Sequence, residues 1–266
     1  MRMSKVRFGF VILIIIDALV LIPLALINLL NYYMLFIITV IIVSGYFITR
    51  NNEKKRLIEI SKIFLDKCDP ERYVFEYQKF INTLISRERN RVLYKITLVL
   101  GYLTYGNLEE AKKILDELID EEPKLELINR FWYYKTWIYY FEETKNYAKC
   151  EILLKEVQKL VSISPIKYKM QLILNYNQML ARFYVANKIN LDKAENEFSK
   201  VFKTRLPKLN IVTNVYYLGV IAYLKNDYTK AIEYFNSVIK NGNKLAVVEK
   251  AKNYLNIIER ETNLIH

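Results

Sequence analysis

Hydrophobic residues dominate the first fifty positions of the chain and then recur at helical intervals. Residues 8–27 form a run of 20 residues with one charge, and residues 32–49 form a run of 18 without any. A helix of either length can cross a hydrocarbon core of about 30 Å. Four residues with polar ends separate the two runs. The pattern therefore predicts a two-helix transmembrane hairpin over residues 1–49.

Two other interpretations fit parts of this pattern. A secretory signal peptide has an apolar region of only about 7–15 residues, whereas the first run here is longer and a second follows at once. One span followed by a buried core helix is the other alternative. Cations flank both runs on their outer sides, and the turn between them has none. The positive-inside tendency then predicts a multi-pass protein of the cell membrane with both termini cytoplasmic.

Asp17 lies near the middle of the first run. A charged carboxylate at that depth costs about 2.5–3.5 kcal/mol, so we expect Asp17 to be protonated and to face another helix. Thr39 lies at a matching depth in the second run and is one expected partner. A second copy of the hairpin is the other, and it would make the protein a homo-oligomer through its spans. A proton-linked or partner-binding role of Asp17 is the functional alternative to packing.

Cations cluster directly after the second run. We expect Asn51 and Asn52 to interrupt the helix, and residues 50–67 to form a basic, amphipathic juxtamembrane segment. Anionic lipid headgroups attract such a segment by about 1 kcal/mol per cation at best. The residues predicted to contact these headgroups are Arg50, Lys54, Lys55 and Arg56. A solvated basic face that only enforces the topology is the alternative.

From about residue 68 the apolar pattern repeats as pairs of helices. In the clearest pair, Val215–Lys240, Leu218-Gly219 opens the first helix, and Lys225–Asp227 breaks the apolar pattern. Ala231 then precedes Phe235 by four residues, which places both on one helix face and lets a second helix come close. Earlier copies carry the same spacing at Ala111 and Leu115, Cys150 and Leu154, and Ala194 and Phe198. Scarce Gly (6) and Pro (5) also favour helices.

This pattern of Leu-Gly, Tyr and Ala-x-x-x-Phe resembles the tetratricopeptide repeat (TPR) family. The resemblance covers about residues 68–266 and is strongest for Val92–Pro123 and Val215–Lys240. Successive small residues are 39, 44 and 37 residues apart, against about 34 in the family, so helices or loops are longer than usual. The resemblance implies an all-α fold, in which an α-solenoid of about four to five helix pairs ends in a capping helix. A generic α-solenoid or irregular helical domain is the alternative.

In the TPR family, the first helices of the pairs line a concave groove that contacts peptides. The resemblance therefore implies a protein or peptide partner. The family's Lys/Asn set that clamps a peptide carboxylate is not matched, because Tyr139 stands where that set has Asn. The matching groove positions are Leu100, Trp132, Lys135, Tyr139, Phe183, Tyr216, Val220 and Tyr223. Packing between repeats is the alternative role for each aromatic residue.

Composition argues against most classes of enzyme. The single histidine is His266, which disfavours a catalytic triad and a histidine-based metal site. The sequence has no Gly-rich phosphate-binding loop. Cys68 and Cys150 lack metal-site spacing, neither require nor exclude a disulfide, and are expected to be buried. We therefore expect no catalytic activity, no metal and no cofactor.

The formal net charge of +12 indicates an anionic neighbour, either lipid or nucleic acid. Acidic residues are interspersed with the cations along the helical domain, which disfavours nucleic acid. The sequence thus predicts a membrane-anchored adaptor or scaffold whose cytosolic groove recruits a protein partner. A basic helical-repeat module that binds RNA or anionic lipid near the membrane is the alternative. The Lys, Ile, Asn and Tyr bias is typical of a bacterium with an AT-rich genome.

Overall fold

The computed structural model describes residues 14–15, 19, 32–83, 88–203 and 205–263. Every regular element in these ranges is helical, so the all-α prediction is confirmed for them. The α-helices are α1 (Tyr32–Leu65), α2 (Pro70–Thr83), α3 (Glu88–Tyr105), α4 (Leu108–Asp116), α5 (Leu127–Glu143), α6 (Tyr147–Ser162), α7 (Ile166–Ala186), α8 (Leu191–Ser199), α9 (Lys208–Leu224), α10 (Tyr228–Asn241) and α11 (Ala246–Asn263). Two 3-10 helices, Ile119–Lys124 and Lys200–Lys203, follow α4 and α8.

The first apolar run lies outside the described residues except at positions 14, 15 and 19. Asp17 and the turn after the run also lie outside them. The hairpin and the pairing of Asp17 with Thr39 therefore stay predictions. The Thr39 hydroxyl donates a hydrogen bond of 3.0 Å to the carbonyl oxygen of Leu35 in its own helix.

Helix α1 is continuous over 34 residues. The expected break at Asn51 and Asn52 is therefore wrong. Asn costs a helix less than about 1 kcal/mol relative to Ala, and the strong helix formers from Glu53 onward offset that cost. The part from Met34 to Leu65 is the one helix in the described chain that is long and apolar enough to cross a membrane. Its most apolar window is only 6% buried.

The chain forms two compact units. The first comprises Met1–Ser61 and Glu76–Arg91, and the second comprises Lys62–Phe75 and Val92–His266. In the first unit, the guanidinium of Arg56 lies 5.7 Å from the centroid of the Phe80 ring. The Phe80 ring in turn lies 6.4 Å from that of Tyr77.

In the second unit, successive helices pack as antiparallel pairs. Helix α5 packs on α6, α7 on α8 and α9 on α10, while α6 contacts α7 and α8 contacts α9. The first helices α5, α7 and α9 and the final helix α11 also contact one another in sequence order. The small residues predicted at the close contacts, Ala111, Cys150, Ala194 and Ala231, are all at most 2% exposed. This arrangement fits an α-solenoid.

The turns inside three of the pairs, α3–α4, α5–α6 and α9–α10, share one backbone conformation. A residue with positive φ ends the first helix, at Gly106 (90°), Lys145 (58°) and Asn226 (60°). The next residue is Asn107, Asn146 or Asp227, and its side chain accepts a hydrogen bond from the backbone N–H three positions later. Such capping satisfies a donor that the first turn of a helix leaves unpaired.

The final connection of the second unit returns to its first residues. The backbone N–H of Lys244 donates to the carbonyl oxygen of Cys68 at 3.3 Å, and the side-chain amide of Asn243 donates to that of Lys67 at 2.9 Å. Lys244 Nζ also lies 2.6 Å from Glu71 Oε2. The connection between α10 and α11 therefore meets residues 67–71, so the last repeat contacts the first residues of the same unit.

Candidate binding cavity

The inner helices of the second unit surround a cavity of about 200 Å³. Each helix contributes residues three or four positions apart, which share one face. The lining residues on these helices include Leu100, Leu103 and Thr104 of α3, Lys135, Tyr139 and Glu143 of α5, Asn175, Gln178 and Arg182 of α7, Asn210, Asn214 and Tyr217 of α9, and Val247 and Lys250 of α11. Phe64 and Leu245 also contribute.

A buried charge cluster joins three of these helices. Arg182 Nε lies 2.8 Å from Glu142 Oε2, and each of the two side chains is 13% exposed. The guanidinium carbon of Arg182 lies 3.8 Å from the centroid of the Tyr139 ring and 5.1 Å from that of Tyr217. The Tyr217 hydroxyl donates to Glu142 Oε1 at 2.6 Å. Helices α5, α7 and α9 are therefore held together by this ion pair, by the Tyr217–Glu142 hydrogen bond and by the two ring contacts of Arg182, whose Nε forms no hydrogen bond within the described residues.

The protonation states in this cluster follow from burial and pairing. Burial by itself lowers the pKa of Arg182, but Glu142, Tyr217, Tyr139 and Glu143 together raise it, and the pKa lies above its usual value. Burial raises the pKa of Tyr217, and the adjacent Glu142 raises it further. At neutral pH Arg182 is therefore charged and Tyr217 keeps its proton.

A second ion pair joins α5 to the last helix. Lys250 Nζ lies 2.7 and 2.5 Å from the two carboxylate oxygens of Glu143. The Glu143 side chain is 20% exposed and that of Lys250 is 37% exposed. This pair lies at the wall of the cavity and links residues 107 positions apart in sequence.

Lys135 is the cavity cation that has no acidic partner among the described residues. Its Nζ donates to Asn175 Oδ1 at 2.7 Å. It also lies 4.9 Å from the Trp132 ring centroid and 5.4 Å from that of Tyr139. Aromatic faces stabilise a cation without neutralising it. Lys135 therefore leaves a net positive charge at the cavity wall.

Three carboxamides at the cavity are not used by the fold. The side chains of Gln178, Asn210 and Asn214 line it, and none forms a hydrogen bond to another residue in the described ranges. Asn214 is only 6% exposed. Among the described residues, its amide atoms do not count with the fully buried polar atoms that lack a partner, so they stay accessible from the cavity. Each carboxamide can both donate and accept, so this wall can bind a ligand that offers both kinds of group.

The structure brings some of the predicted groove residues together at this cavity. Leu100, Lys135 and Tyr139 line it. Trp132 and Phe183 pack against the core cluster around Phe131 instead. The Trp132 ring nevertheless lies beside Lys135.

The predicted groove residues on α9 lie elsewhere. Tyr216 is 7% exposed and Val220 is 6% exposed, both inside the core. Tyr223 is partly buried against that core, and its hydroxyl donates to Glu261 Oε1 at 2.9 Å. We expected these three residues on the inner surface, but they lie in or against the core, because α10 and α11 cover this side of α9. Their role in partner binding stays a prediction.

Sequence reasoning missed the polar residues of the inner face. Asn175, Gln178 and Arg182 recur at spacings of three and four on α7, and Asn210, Asn214 and Tyr217 do so on α9. That spacing on otherwise apolar helices was the available signal.

The predicted lipid-contacting cations all lie on α1. Arg50, Lys54 and Lys55 are exposed, whereas Arg56 is half-buried. Their contact with lipid stays a prediction.

The match to known families falls on the pair formed by α9 and α10. Residues 214–241 match the tetratricopeptide repeat. The match contains Leu218, Gly219, Ala231 and Phe235, the residues on which the sequence pattern depended. Tetratricopeptide repeats are typically non-catalytic and act in protein interaction. No curated protein and no solved structure matches the chain.

Proposed function

We propose that this protein is a membrane-anchored adaptor whose cavity binds a peptide segment of a protein partner at the cytosolic face of the membrane. The observation that carries the proposal is the uncommitted carboxamide wall, above all the buried Asn214. The family match supports an interaction module in general.

The chemistry of the wall favours a peptide backbone. An extended chain presents alternating N–H donors and C=O acceptors that need partners when they leave water. Gln178, Asn210 and Asn214 offer both kinds of group on two neighbouring helices. Lys135 adds a cation, which favours an acidic group on the bound segment.

The apolar part of α1 supports the anchor. Only 6% of its most apolar window is buried within the chain, as for a helix that lipid would surround. Exposed cations follow it at Arg50, Lys54 and Lys55. By the positive-inside tendency, these residues favour a cytosolic position for the rest of the chain.

Selection of short peptides from a displayed library by the full-length protein in detergent tests the proposal. We expect Asn214→Leu and Gln178→Leu each to weaken binding of the selected peptides by at least roughly tenfold, which corresponds to about 1.4 kcal/mol. Asn253→Leu is the matched control, because Asn253 is exposed on α11 and does not line the cavity.

The thermal midpoint of each variant shows whether a loss of peptide binding comes from the cavity or from a damaged fold. Because the Asn214 amide has no partner within the described residues, Asn214→Leu is expected to leave the thermal midpoint unchanged or to raise it. Peptide binding that is equal in wild type, Asn214→Leu and Gln178→Leu would contradict the proposal. A lowered midpoint for Asn214→Leu would assign the amide to folding instead.

A further inference from the structure

One end of the second unit carries large apolar side chains that the described part of the chain leaves uncovered. Ile166 is 91% exposed, more than any other large apolar side chain that the structure describes. Met170, one turn later, is 70% exposed, and Ile163 and Phe202 are also exposed. A soluble surface rarely keeps several such side chains together unless it binds something.

These residues lie at the same end of the stack. Ile163, Ile166 and Met170 belong to the connection between α6 and α7 and to the start of α7, and Phe202 belongs to the connection between α8 and α9. Helices α6 to α9 pack as sequential neighbours and alternate in direction. Connections that follow every second helix therefore emerge at one end. We call these four residues the apolar rim.

Basic residues without acidic neighbours in sequence surround the apolar rim. The sequence has no Asp or Glu from Val157 to Leu191, and none from Phe198 to Asn226. Lys167 and Lys169 lie one and three residues after Ile166, and Lys203 and Arg205 lie one and three residues after Phe202. In the described ranges none of these four cations forms an ion pair. Lys169 donates to the carbonyl oxygen of Ser162 at 3.4 Å, and Lys167 lies 4.5 Å from the Tyr168 ring centroid.

The charge and hydrophobicity of the apolar rim favour some binding partners over others. A second copy packed on the same surface would bring cations of like sign together, because a two-fold interface juxtaposes identical patches. Single-stranded nucleic acid is held by bases that stack on aromatic rings, and three of the four rim residues, Ile163, Ile166 and Met170, are not aromatic. An anionic bilayer accepts apolar side chains below its headgroups and binds cations at its phosphates.

We propose that the apolar rim docks on an anionic membrane surface, with Ile163, Ile166 and Met170 among the headgroups and Lys167 and Lys169 at the phosphates. None of the rim residues lines the cavity. The surface is therefore a second contact site that leaves the cavity free for a partner.

A fluorescent probe on the rim of the full-length protein tests this proposal. The native thiols are buried, with Cys68 at 0% and Cys150 at 2% exposed, so labelling reaches an introduced cysteine. An environment-sensitive dye is placed on Ile163→Cys. The control is Ile189→Cys, which carries an exposed aliphatic residue in the connection between α7 and α8, at the opposite end. Both proteins are reconstituted into phosphatidylcholine vesicles with and without phosphatidylglycerol.

We expect the dye at position 163 to shift to the blue and to be quenched by lipid-borne quenchers when phosphatidylglycerol is present. The dye at position 189 is expected to change in neither lipid. Adding Lys167→Gln and Lys169→Gln to the rim-labelled protein is expected to shift the docking equilibrium toward the free state by roughly fivefold per cation, or about 25-fold together.

Three outcomes would overturn the proposal. The first is a dye at position 163 that stays in water in anionic vesicles, and the second is equal quenching at both positions. The third is burial of the rim dye that follows protein concentration and not lipid charge, which would assign the rim to self-association. Helix content measured by circular dichroism on each variant shows that the comparison concerns folded protein.

Discussion

Arg182 shows how one side chain combines several roles in the second unit. Removing a charge from water costs several kcal/mol, which only close pairing and hydrogen bonding recover. Here Glu142 supplies the counter-charge at 2.8 Å, and the Tyr139 ring supplies a face at 3.8 Å. The cluster therefore holds the three helices α5, α7 and α9 in one arrangement.

Removing Arg182 is expected to destabilise the fold strongly. Arg182→Leu leaves the Glu142 carboxylate buried without its partner, so we expect a loss of about 3–5 kcal/mol in the free energy of unfolding. Lys225→Ala is the control, because Lys225 pairs only with the exposed acids Asp192 and Glu195. That pair of contacts is worth at most about 1 kcal/mol. Chemical denaturation of both variants measures the difference, and equal losses would contradict a structural role for the buried pair.

The double variant tests the reason for that loss. Arg182→Leu with Glu142→Leu removes both charges, so it is expected to recover much of the stability that Arg182→Leu loses. If the losses simply add, the destabilisation comes from lost packing and not from an unpaired carboxylate.

At the scale of elements, the close contact between α9 and α10 depends on Gly219. A Cβ placed on this residue would lie 2.7 Å from Phe235 Cε1. The Phe235 ring is fully buried and stacks on Tyr254 with centroids 5.0 Å apart, so it has little room to move. The Leu-Gly of the repeat pattern is thus the position where the two helices touch.

Gly219→Ala should therefore reverse the usual sign of this substitution. In an exposed helix, Gly→Ala stabilises by about 1 kcal/mol. Here overpacking against Phe235 is expected to dominate and to lower the free energy of unfolding by about 1–3 kcal/mol. Adding Phe235→Leu should make room for the methyl group, so the two changes are expected to couple favourably in a double-mutant cycle. A stabilising Gly219→Ala would show that α10 can shift away.

At the scale of the whole molecule, several repeats contain a buried thiol or tyrosine hydroxyl whose pKa is raised. Burial raises the pKa of the Cys150 thiol from 9.0 to about 12. Burial, together with a hydrogen bond to Glu122, raises the pKa of Tyr134 from 10.0 to about 12. Burial also raises the pKa of Tyr216 and of Tyr217. In each case the fold favours the protonated, neutral form.

These shifts predict loss of stability at alkaline pH. Above pH 9 the unfolded chain releases protons from Cys, and above pH 10 from Tyr, whereas the folded chain retains them up to about pH 12. Because the folded state then binds more protons, the free energy of unfolding falls as pH rises through this window and is unaffected by these groups below it. Circular dichroism and tyrosinate absorbance, recorded together against pH, measure this. Tyrosines that all ionise near pH 10 without loss of helix would contradict it.

The repeats could be predicted from the sequence because their pattern depends on residues only a few positions apart. Ala111, Cys150, Ala194 and Ala231 were predicted as close contacts from spacing alone, and all are buried. The two cysteines are buried, as expected, and both are free. The helix break expected at Asn51 and Asn52 does not occur, because a small propensity cost does not end a helix of good helix formers.

The candidate site was only partly predictable. Lys135 and Tyr139 were found because they lie on the inner face of a first helix whose register follows from the repeat. Tyr216 and Val220 were misplaced because α9 lies under both α10 and α11, and burial on several sides removes the periodic signal. Asn214 was missed for the same reason, since it lies within ten consecutive residues of α9 of which nine are apolar or Gly.

The sequence by itself determined the helical pairs, their turns and the small residues at which they touch, because each depends on neighbours within one or two turns of helix. Tertiary structure alone decided that residues 67–71 meet Asn243 and Lys244, and that Arg182 finds Glu142. It also decided which cavity carboxamides form no hydrogen bond within the described chain and can therefore bind a ligand. These contacts join residues tens to more than a hundred positions apart, and their geometry depends on the summed rotation of every repeat between them.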